Sequence, residues 1–258
     1  MLVSSRYAWG SVTEPMVSRT RPVPENKILA RLPAAERERL TPHLKPVDLH
    51  FGQMLVEYDS PIKYVYFLET AVTSTIVRTP HGETIEVGIM GVEGFVGLSL
   101  LYGVERSNGT VVVQIPGQAL RMKSEDFLKH VKAKGGPCLD LLLRYANFFQ
   151  VMVQLHAACN AAHRIEERMC RWILLTHDRA GGDAIALTHE NLSLMLGVRR
   201  ATVSTVAHRL KESGLINYKR GKVVVTDRRR LEDCSCECYG LINGLTVRTL
   251  GDERPTRR

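Results

Sequence analysis

Residues 196–216, LGVRRATVSTVAHRLKESGLI, decide the prediction of the fold. Just before them, Thr188 can cap a short helix, HENLSLML, that stops at Gly197. Glycine tolerates the left-handed backbone of a tight turn, and a second helix is predicted over about residues 199–213. Apolar residues on both sides of the turn are spaced to wedge the two helices together. This pattern is typical of a helix-turn-helix.

The next residues, LINYKRGKVVVTD, predict a two-strand hairpin that turns at Arg220 and Gly221 and forms the wing of a winged helix-turn-helix. The second helix would enter the major groove of DNA and present basic and hydroxyl side chains there. A basic helical hairpin in some other fold is the alternative. The predicted DNA-binding residues are Arg199, Arg200, Thr202, Ser204, Thr205, His208, Arg209, Lys219, Arg220 and Lys222.

The positive charge of the chain is concentrated in this region. The formal net charge is +8 at pH 7, and residues 189–230 contain ten Lys and Arg against three Asp and Glu, or +7. Such a local excess is expected of a surface that faces phosphates. No apolar run approaches the roughly 18 residues that a membrane span needs. Without a secretory pattern or a dense cysteine framework, we expect a cytoplasmic protein.

The first half of the chain has a different character. Residues 47–122 contain short apolar or alternating runs separated by the turn-forming groups DSP, PHGE, GVEG and PG. Regularly spaced short strands favour an antiparallel β jelly roll, here preceded by short helices from Asn26. The predicted fold class is therefore α+β, with an N-terminal jelly roll and a C-terminal winged helix-turn-helix.

A long helix is predicted over about residues 137–162, between the two parts. Its apolar residues recur at alternating steps of four and three, which is the pattern of a coiled-coil seam and favours pairing with a second copy of the chain. Packing of the helix on its own domain is the alternative, because the neighbouring faces also contain apolar residues. The predicted dimer seam consists of Leu141, Tyr145, Phe148, Met152, Leu155, Cys159 and Ala162.

The order of these elements resembles the Crp/Fnr family of bacterial transcription regulators. LTHENLSLMLGVRRATVSTVAHRLKESGLINYKRGKVVVTD is similar to the DNA-binding segment of that family, and HRIEERMCRWIL is similar to the first helix of its DNA-binding domain. The resemblance covers about residues 27–242. It implies an effector domain at residues 27–135, a dimerisation helix at 136–163 and the winged helix-turn-helix at 164–242. Outside this span we predict a flexible tail at residues 1–26 and a basic tail at 243–258.

The resemblance also implies roles for single residues in DNA binding. Arg200 matches the Arg that contacts a base edge in the family, and Thr202 matches a hydroxyl that contacts phosphate. Ala201 stands where the family usually has Glu, and Thr205 stands where a second base-reading Arg or Ser often occurs. The recognised DNA sequence is therefore expected to differ from the best-known site of the family. The remaining basic residues of the predicted set, in the helix and the wing, are expected mostly to contact phosphate.

In the family's cyclic-nucleotide members an Arg-Ser pair holds the phosphate, and a Glu after a Gly holds the ribose. Here Arg106 and Ser107 match the pair, and Gly97 matches the glycine, but Leu98 stands where the Glu would be. Leucine cannot accept a hydrogen bond from a ribose hydroxyl, which disfavours a cyclic nucleotide. The alternative for Arg106 is a surface or inter-strand ion pair. No cofactor is predicted with certainty.

Cysteine and histidine positions leave a metal or thiol role open without predicting one. Cys234, Cys236 and Cys238 have a tighter spacing than most zinc sites, and His156, Cys159 and His163 share one helix face. We predict no metal site from these patterns. The histidines of the first half are isolated, and the sequence has no nucleophile or phosphate-loop motif, which argues against an enzyme.

The sequence thus predicts a homodimeric regulator that binds a pseudo-palindrome in double-stranded DNA and contacts RNA polymerase. One alternative is a regulator without an effector, whose jelly roll serves dimerisation or polymerase contact. Another is a regulator that responds to thiol chemistry or to a metal.

Overall fold

The computed structural model describes residues 26–80, 84–182, 184–219 and 221–251, without the side chain of Lys219. Its helices and strands are α1 Lys27–Ala30, α2 Ala34–Leu40, β1 Lys45–Leu49, β2 Met54–Val56, β3 Tyr64–Leu68, β4 Val72–Arg78, β5 Thr84–Met90, β6 Phe95–Val96, α3 Leu98–Leu101, β7 Thr110–Ile115, β8 Gly117–Lys123, α4 Ser124–Phe127, α5 Pro137–Ala162, α6 Ile165–Ala180, β9 Ala184–Ala186, α7 His189–Leu196, α8 Arg200–Glu212, β10 Ile216–Lys219, β11 Lys222–Val225, α9 Arg228–Asp233 and α10 Cys238–Leu250.

Strands β1 to β8 form the predicted jelly roll. They make two four-stranded antiparallel sheets, in the orders β1-β8-β3-β6 and β2-β7-β4-β5. Aromatic rings fill the interior: the ring centroid of Phe95 lies 5.0 Å from that of Phe67 and 5.3 Å from that of Phe127. The predicted fold class is confirmed.

Asn26 ties the start of α1 to the jelly roll. Its side-chain nitrogen donates hydrogen bonds to the carbonyl oxygens of Leu68 and Gly94, at 2.7 and 2.9 Å. Its side-chain oxygen accepts from the backbone N–H groups of Ile28 and Leu29 and so caps the helix. Apart from this buried residue, the predicted flexible tail at residues 1–26 lies outside the described part of the chain.

Helix α5 has the predicted bounds, but its apolar stripe faces inward. Five predicted seam residues, Leu141, Tyr145, Phe148, Met152 and Cys159, are buried within the single chain, while Leu155 is half-buried and Ala162 is exposed. The stripe packs on β5 and on α10. This corrects the seam prediction, because side chains already buried in their own domain cannot also cover a second copy.

Helix α10 corrects a second prediction. The expected basic tail at residues 243–258 starts inside this helix, which runs to Leu250 and lies along α5. Thr246 and Leu250 are buried there, so the described part of this segment contributes to the core. Residues 252–258 lie outside the described residues. Among the described helices, none combines the length and apolar character that crossing a membrane requires.

Candidate functional site

The predicted helix-turn-helix is formed by α7 and α8. The Thr188 hydroxyl accepts a hydrogen bond from the backbone N–H of Asn191, at 3.1 Å, and caps α7 as expected. Gly197 ends α7 with a φ of +63°, a left-handed conformation that glycine adopts without strain. A side chain added at Gly197 would begin 3.5 Å from Ile85 of β5. The turn of the motif therefore rests on the jelly roll.

Helix α8 buries one face and exposes the other. Val203, Val206 and Leu210 point into the core. The predicted residues Arg199, Arg200, Thr205, His208 and Arg209 are exposed, and Thr202 is half-buried. The outward face is thus basic over more than two turns, as contact with a phosphate backbone requires.

The cations on this face form only weak internal pairs. Arg200, whose side chain is 70% exposed, lies 3.8 Å from Glu190, and Arg209 lies 3.4 Å from Glu166. Exposed pairs of this kind contribute about 0 to 1 kcal/mol, so phosphates or bases can replace the carboxylates at little cost.

Two predicted hydroxyl residues are engaged within the domain. The Ser204 hydroxyl lies 2.9 Å from Nδ1 of His189 on α7, and the Thr205 hydroxyl donates to the carbonyl oxygen of Ala201 at 3.1 Å. Burial, followed by the charge of Arg200, lowers the pKa of His189. A neutral imidazole suits its bond to Ser204, so Ser204 joins the two helices and is a weaker candidate for DNA contact.

The wing is the three-stranded sheet β10-β11-β9. Strands β10 and β11 pair from Ile216 opposite Val225 to Lys219 opposite Lys222. Gly221, in the turn between them, has a φ of +74°, and the Lys222 side chain is exposed at the start of β11. Arg220 lies outside the described residues, so of the three predicted wing cations only Lys222 has a described side chain.

Two buried polar links join the jelly roll to α6, and sequence reasoning missed both. A carboxyl oxygen of Glu86 on β5 lies 2.5 Å from the Ser74 hydroxyl, and Glu86 accepts a hydrogen bond from the indole N–H of Trp172 at 2.8 Å. Burial raises the pKa of Glu86 to about 7. The second link is the ion pair of Arg179 and Glu93, at 2.6 Å, with both side chains almost fully buried. No motif signals such pairs, because their partners lie about 86 residues apart.

A partly open cavity of about 590 Å³ lies between strands of the jelly roll and α5. Gly97, Leu98 and Ser107 line it, and so do Phe149 and Gln150 of α5. The rest of the lining is largely aliphatic and aromatic: Val56, Ile62, Val87, Met90, Phe95 and Val96.

Arg106 is not among the residues that line this cavity. Its side chain is 56% exposed, and Nε donates to the Asp59 carboxylate at 2.9 Å. Ser107 donates its hydroxyl hydrogen to the carbonyl oxygen of Gly109 at 2.6 Å. The structure thus brings Gly97 and Ser107 to the cavity and places Arg106 in the surface ion pair that was its alternative.

The structure also brings together residues that the sequence analysis treated separately. Cys159 and His163, at the end of α5, lie beside Cys236 and Cys238, near the start of α10. The sulfurs of Cys159 and Cys236 lie 3.5 Å apart, and their hydrogen bond lowers the pKa of Cys159, an effect that the charge of Arg171 increases. His156 is apart from this group, because its Nδ1 lies 3.1 Å from the carbonyl oxygen of Val87.

Comparison with known proteins agrees with the fold and with the motif. The family model for the Crp-like helix-turn-helix domain matches residues 167–234. No curated protein sequence matches the chain significantly.

Solved structures match most of the chain at low identity. A protein assigned to the Crp/Fnr family of transcriptional regulators from Eubacterium rectale has a TM-score of 0.64 at 16% identity, over 81% of this chain and 99% of that one. A CRP-family transcriptional regulator from Thermus thermophilus has a TM-score of 0.62 at 18% identity, over 74% and 96%. The c-di-GMP-responsive global regulator CLP from Xanthomonas campestris has a TM-score of 0.60 at 14% identity, over 76% and 100%. The chain thus has a Crp-like helix-turn-helix domain within the fold of the Crp/Fnr transcription regulators, and the family resemblance predicted from its sequence is confirmed.

Proposed function

We propose that this protein is a transcription regulator that binds a specific sequence in double-stranded DNA. The observation that carries the proposal is the outward face of α8 and its N-cap, where Arg199, Arg200 and Arg209 are exposed, together with the exposed Lys222 of the wing. A helix with this face fits the major groove, and the wing reaches the adjacent backbone. Arg200, near the start of α8, is positioned to donate two hydrogen bonds to a guanine edge, whereas the other cations contact phosphate.

We propose further that two copies pair through the exposed face of α5. A second stripe with steps of four and three runs along this face: Leu143, Asn147, Gln150, Gln154, Ala157 and Ala161. Leu143 is 45% exposed, the small alanines allow close approach, and the amides fix the register of a pair. Two recognition helices related by a two-fold axis would read the half-sites of a pseudo-palindrome about one helical turn apart. We also propose that this dimer, bound to DNA, contacts RNA polymerase.

For the jelly roll we propose a compact apolar effector instead of a cyclic nucleotide. The largely apolar cavity lining favours such a molecule. Leu98 offers no acceptor for a ribose, and Arg106 is paired with Asp59 at the surface.

DNA selected from a random pool by the purified protein tests the main proposal. The selected site and a scrambled duplex are then titrated with the wild type, Arg200→Ala and Lys222→Ala over a range of salt concentrations. Arg200→Ala should cost about 1 to 3 kcal/mol on the selected site and little on the scrambled one. Lys222→Ala should weaken both and reduce the salt slope by about one.

Lys45→Ala, which removes an exposed cation on β1 of the jelly roll, is the control and should leave both affinities unchanged. Equal losses on the two duplexes for Arg200→Ala would contradict the assignment of this residue to base reading. Failure to enrich any sequence would contradict the proposed function itself.

A further inference from the structure

The junction between α5 and α10 holds four side chains with the donor atoms of a metal site. Cys159 and His163 are one helical turn apart at the end of α5, and Cys236 and Cys238 flank the start of α10. One ligand atom from each, three sulfurs and one nitrogen, lie within 4.8 Å of one another. The three cysteines are buried and none is in a disulfide. The group therefore has the number and type of ligands of a structural Cys3His site.

The distances fit a tetrahedron around one zinc ion. With zinc–sulfur bonds of about 2.3 Å and zinc–nitrogen bonds of about 2.0 Å, two sulfurs lie about 3.8 Å apart, and a sulfur and a nitrogen about 3.5 Å apart. The sulfurs of Cys159 and Cys236 are separated by 3.5 Å. The sulfur of Cys238 lies 3.7 Å from Nδ1 of His163. An ion can thus be held with little movement of the backbone.

The second nitrogen of His163 has the partner that metal-bound histidines usually have. Its Nε2 lies 3.1 Å from a carboxylate oxygen of Glu237. Donation of the Nε2 hydrogen to this carboxylate leaves Nδ1 unprotonated and directed at the cysteines. Glu237 lies between two of the cysteines in the sequence, so the α10 segment supplies two ligands and the group that orients a third.

Charge around the cluster also favours a metal–thiolate centre. Three thiolates, a neutral imidazole and Zn²⁺ carry a net charge of −1. Arg171 of α6 is 3% exposed and lies near Cys159, and within the described residues its Nε and Nη1 atoms have no hydrogen-bond partner. Burial of a guanidinium is costly, and the charge of Arg171 acts on Glu86 as well as on Cys159, so an anionic centre beside it would add to the compensation of that charge.

We propose that Cys159, His163, Cys236 and Cys238 bind one zinc ion, with Glu237 as a positioning residue for His163. All four ligands come from the protein, so the site has no open position for catalysis and has a structural role. It fastens the end of α5 to the start of α10 and thereby closes the segment that contains the helix-turn-helix. A disulfide is the less suitable outcome, because it would use two of the thiols and leave the third and His163 without a role.

Zinc content tests the proposal without any reference to DNA binding. The full chain is purified under reducing conditions, incubated with excess Zn²⁺, desalted and analysed by mass spectrometry for metal. We expect one zinc per chain in the wild type and none in Cys236→Ser. Glu237→Gln should keep the ion with about tenfold weaker affinity, measured by competition with a chelator.

Two controls match these variants. Cys234→Ser removes an exposed cysteine of the same segment outside the cluster, and His130→Ala breaks the other grouping of metal-binding side chains, His43, Asp126 and His130. Both should keep one zinc. Loss of zinc from His130→Ala, its retention in Cys236→Ser, or a wild type that holds no zinc after loading would overturn the proposal.

Cobalt titration of the wild type covers the case in which a cysteine variant does not fold. Co²⁺ in the site should give the absorption bands of tetrahedral thiolate coordination. Alkylation should modify Cys159, Cys236 and Cys238 only after a chelator has been added. A cobalt complex without thiolate bands, or equal alkylation with and without chelator, would overturn the proposal. So would a Cys159–Cys236 disulfide that forms in the zinc-treated chain once the reductant is removed.

Discussion

Replacement of Glu86 by Gln should change how the stability of the protein depends on pH. Glu86 is 4% exposed and its pKa is raised to about 7, first of all by burial. Ser74 lies within hydrogen-bond distance of both Glu86 and Gln114 but has one hydroxyl hydrogen. Both contacts are satisfied when Glu86 is protonated and donates to Ser74, while Ser74 donates to Gln114. Gln can occupy this position as a neutral side chain at every pH.

The sign and size of the effect follow from proton linkage. Between pH 4.5, the ordinary pKa of Glu, and about pH 7, the folded state binds more protons at this site than the unfolded state. The contribution of Glu86 to the free energy of unfolding is therefore complete below pH 4.5 and is lost as the pH rises through 7. The total change is about 3 kcal/mol, of which roughly 2.5 kcal/mol falls between pH 5 and pH 8.

Urea denaturation of the wild type and of Glu86→Gln at pH 5, 6, 7 and 8 measures this difference. Both proteins share all other titrating groups, including His156, whose pKa is lowered to about 3 by burial, so those contributions cancel. Relative to Glu86→Gln, the wild type should lose about 2.5 kcal/mol from pH 5 to pH 8. Parallel stability curves for the two proteins would refute a protonated Glu86 at the interface of the jelly roll and α6.

Three further predictions concern the same framework. Glu93→Ala leaves the buried guanidinium of Arg179 unpaired and should lower the free energy of unfolding by about 3 to 5 kcal/mol. The double variant Glu93→Ala/Arg179→Met should regain most of this stability. A cost below about 1 kcal/mol for Glu93→Ala alone would contradict the prediction. Calorimetry with cyclic AMP should give no binding heat, because Arg106 is held by Asp59 and Leu98 offers no acceptor; saturable heat at micromolar ligand would argue for a cyclic nucleotide effector. Gly197→Ala should cost roughly 1 kcal/mol in thermal unfolding, since alanine is strained at a φ of +63°, and an unchanged melting temperature would count against a left-handed backbone at this turn.

Much of the fold was predictable because local patterns determine it. The long helix occupies residues 137–162 as expected, and α7 coincides with HENLSLML between Thr188 and Gly197. Capping residues and left-handed glycines act within a few residues of their own position, so the sequence displays them directly. The two-residue strand β6 and the short helices α3 and α9 were not predicted, because segments this short show no periodic pattern of apolar residues.

Features that depend on distant partners were less predictable. The stripe from Leu141 to Cys159 has the spacing of a coiled coil, but a helix that packs on its own domain has almost the same spacing. Which apolar surface covers the stripe depends on β5 and α10, and periodicity contains no information about either. For the same reason the sequence placed Cys159 and Cys236 in separate patterns, although their sulfurs are neighbours in the fold. On α8 the exposed arginines were predicted, whereas the contact of Ser204 with His189 was not.

The position of α10 determines how the DNA-binding unit can move. Helix α6 leaves the end of α5 directly, and after the wing the chain returns so that α10 lies along α5 again. A domain joined by a single linker can swing in any direction, but one attached at both ends to the same rod is limited to tilting about an axis near that rod. In the proposed pair, a change at α5 would therefore turn both recognition helices through a defined arc, and a signal would act by altering the spacing between the two helices.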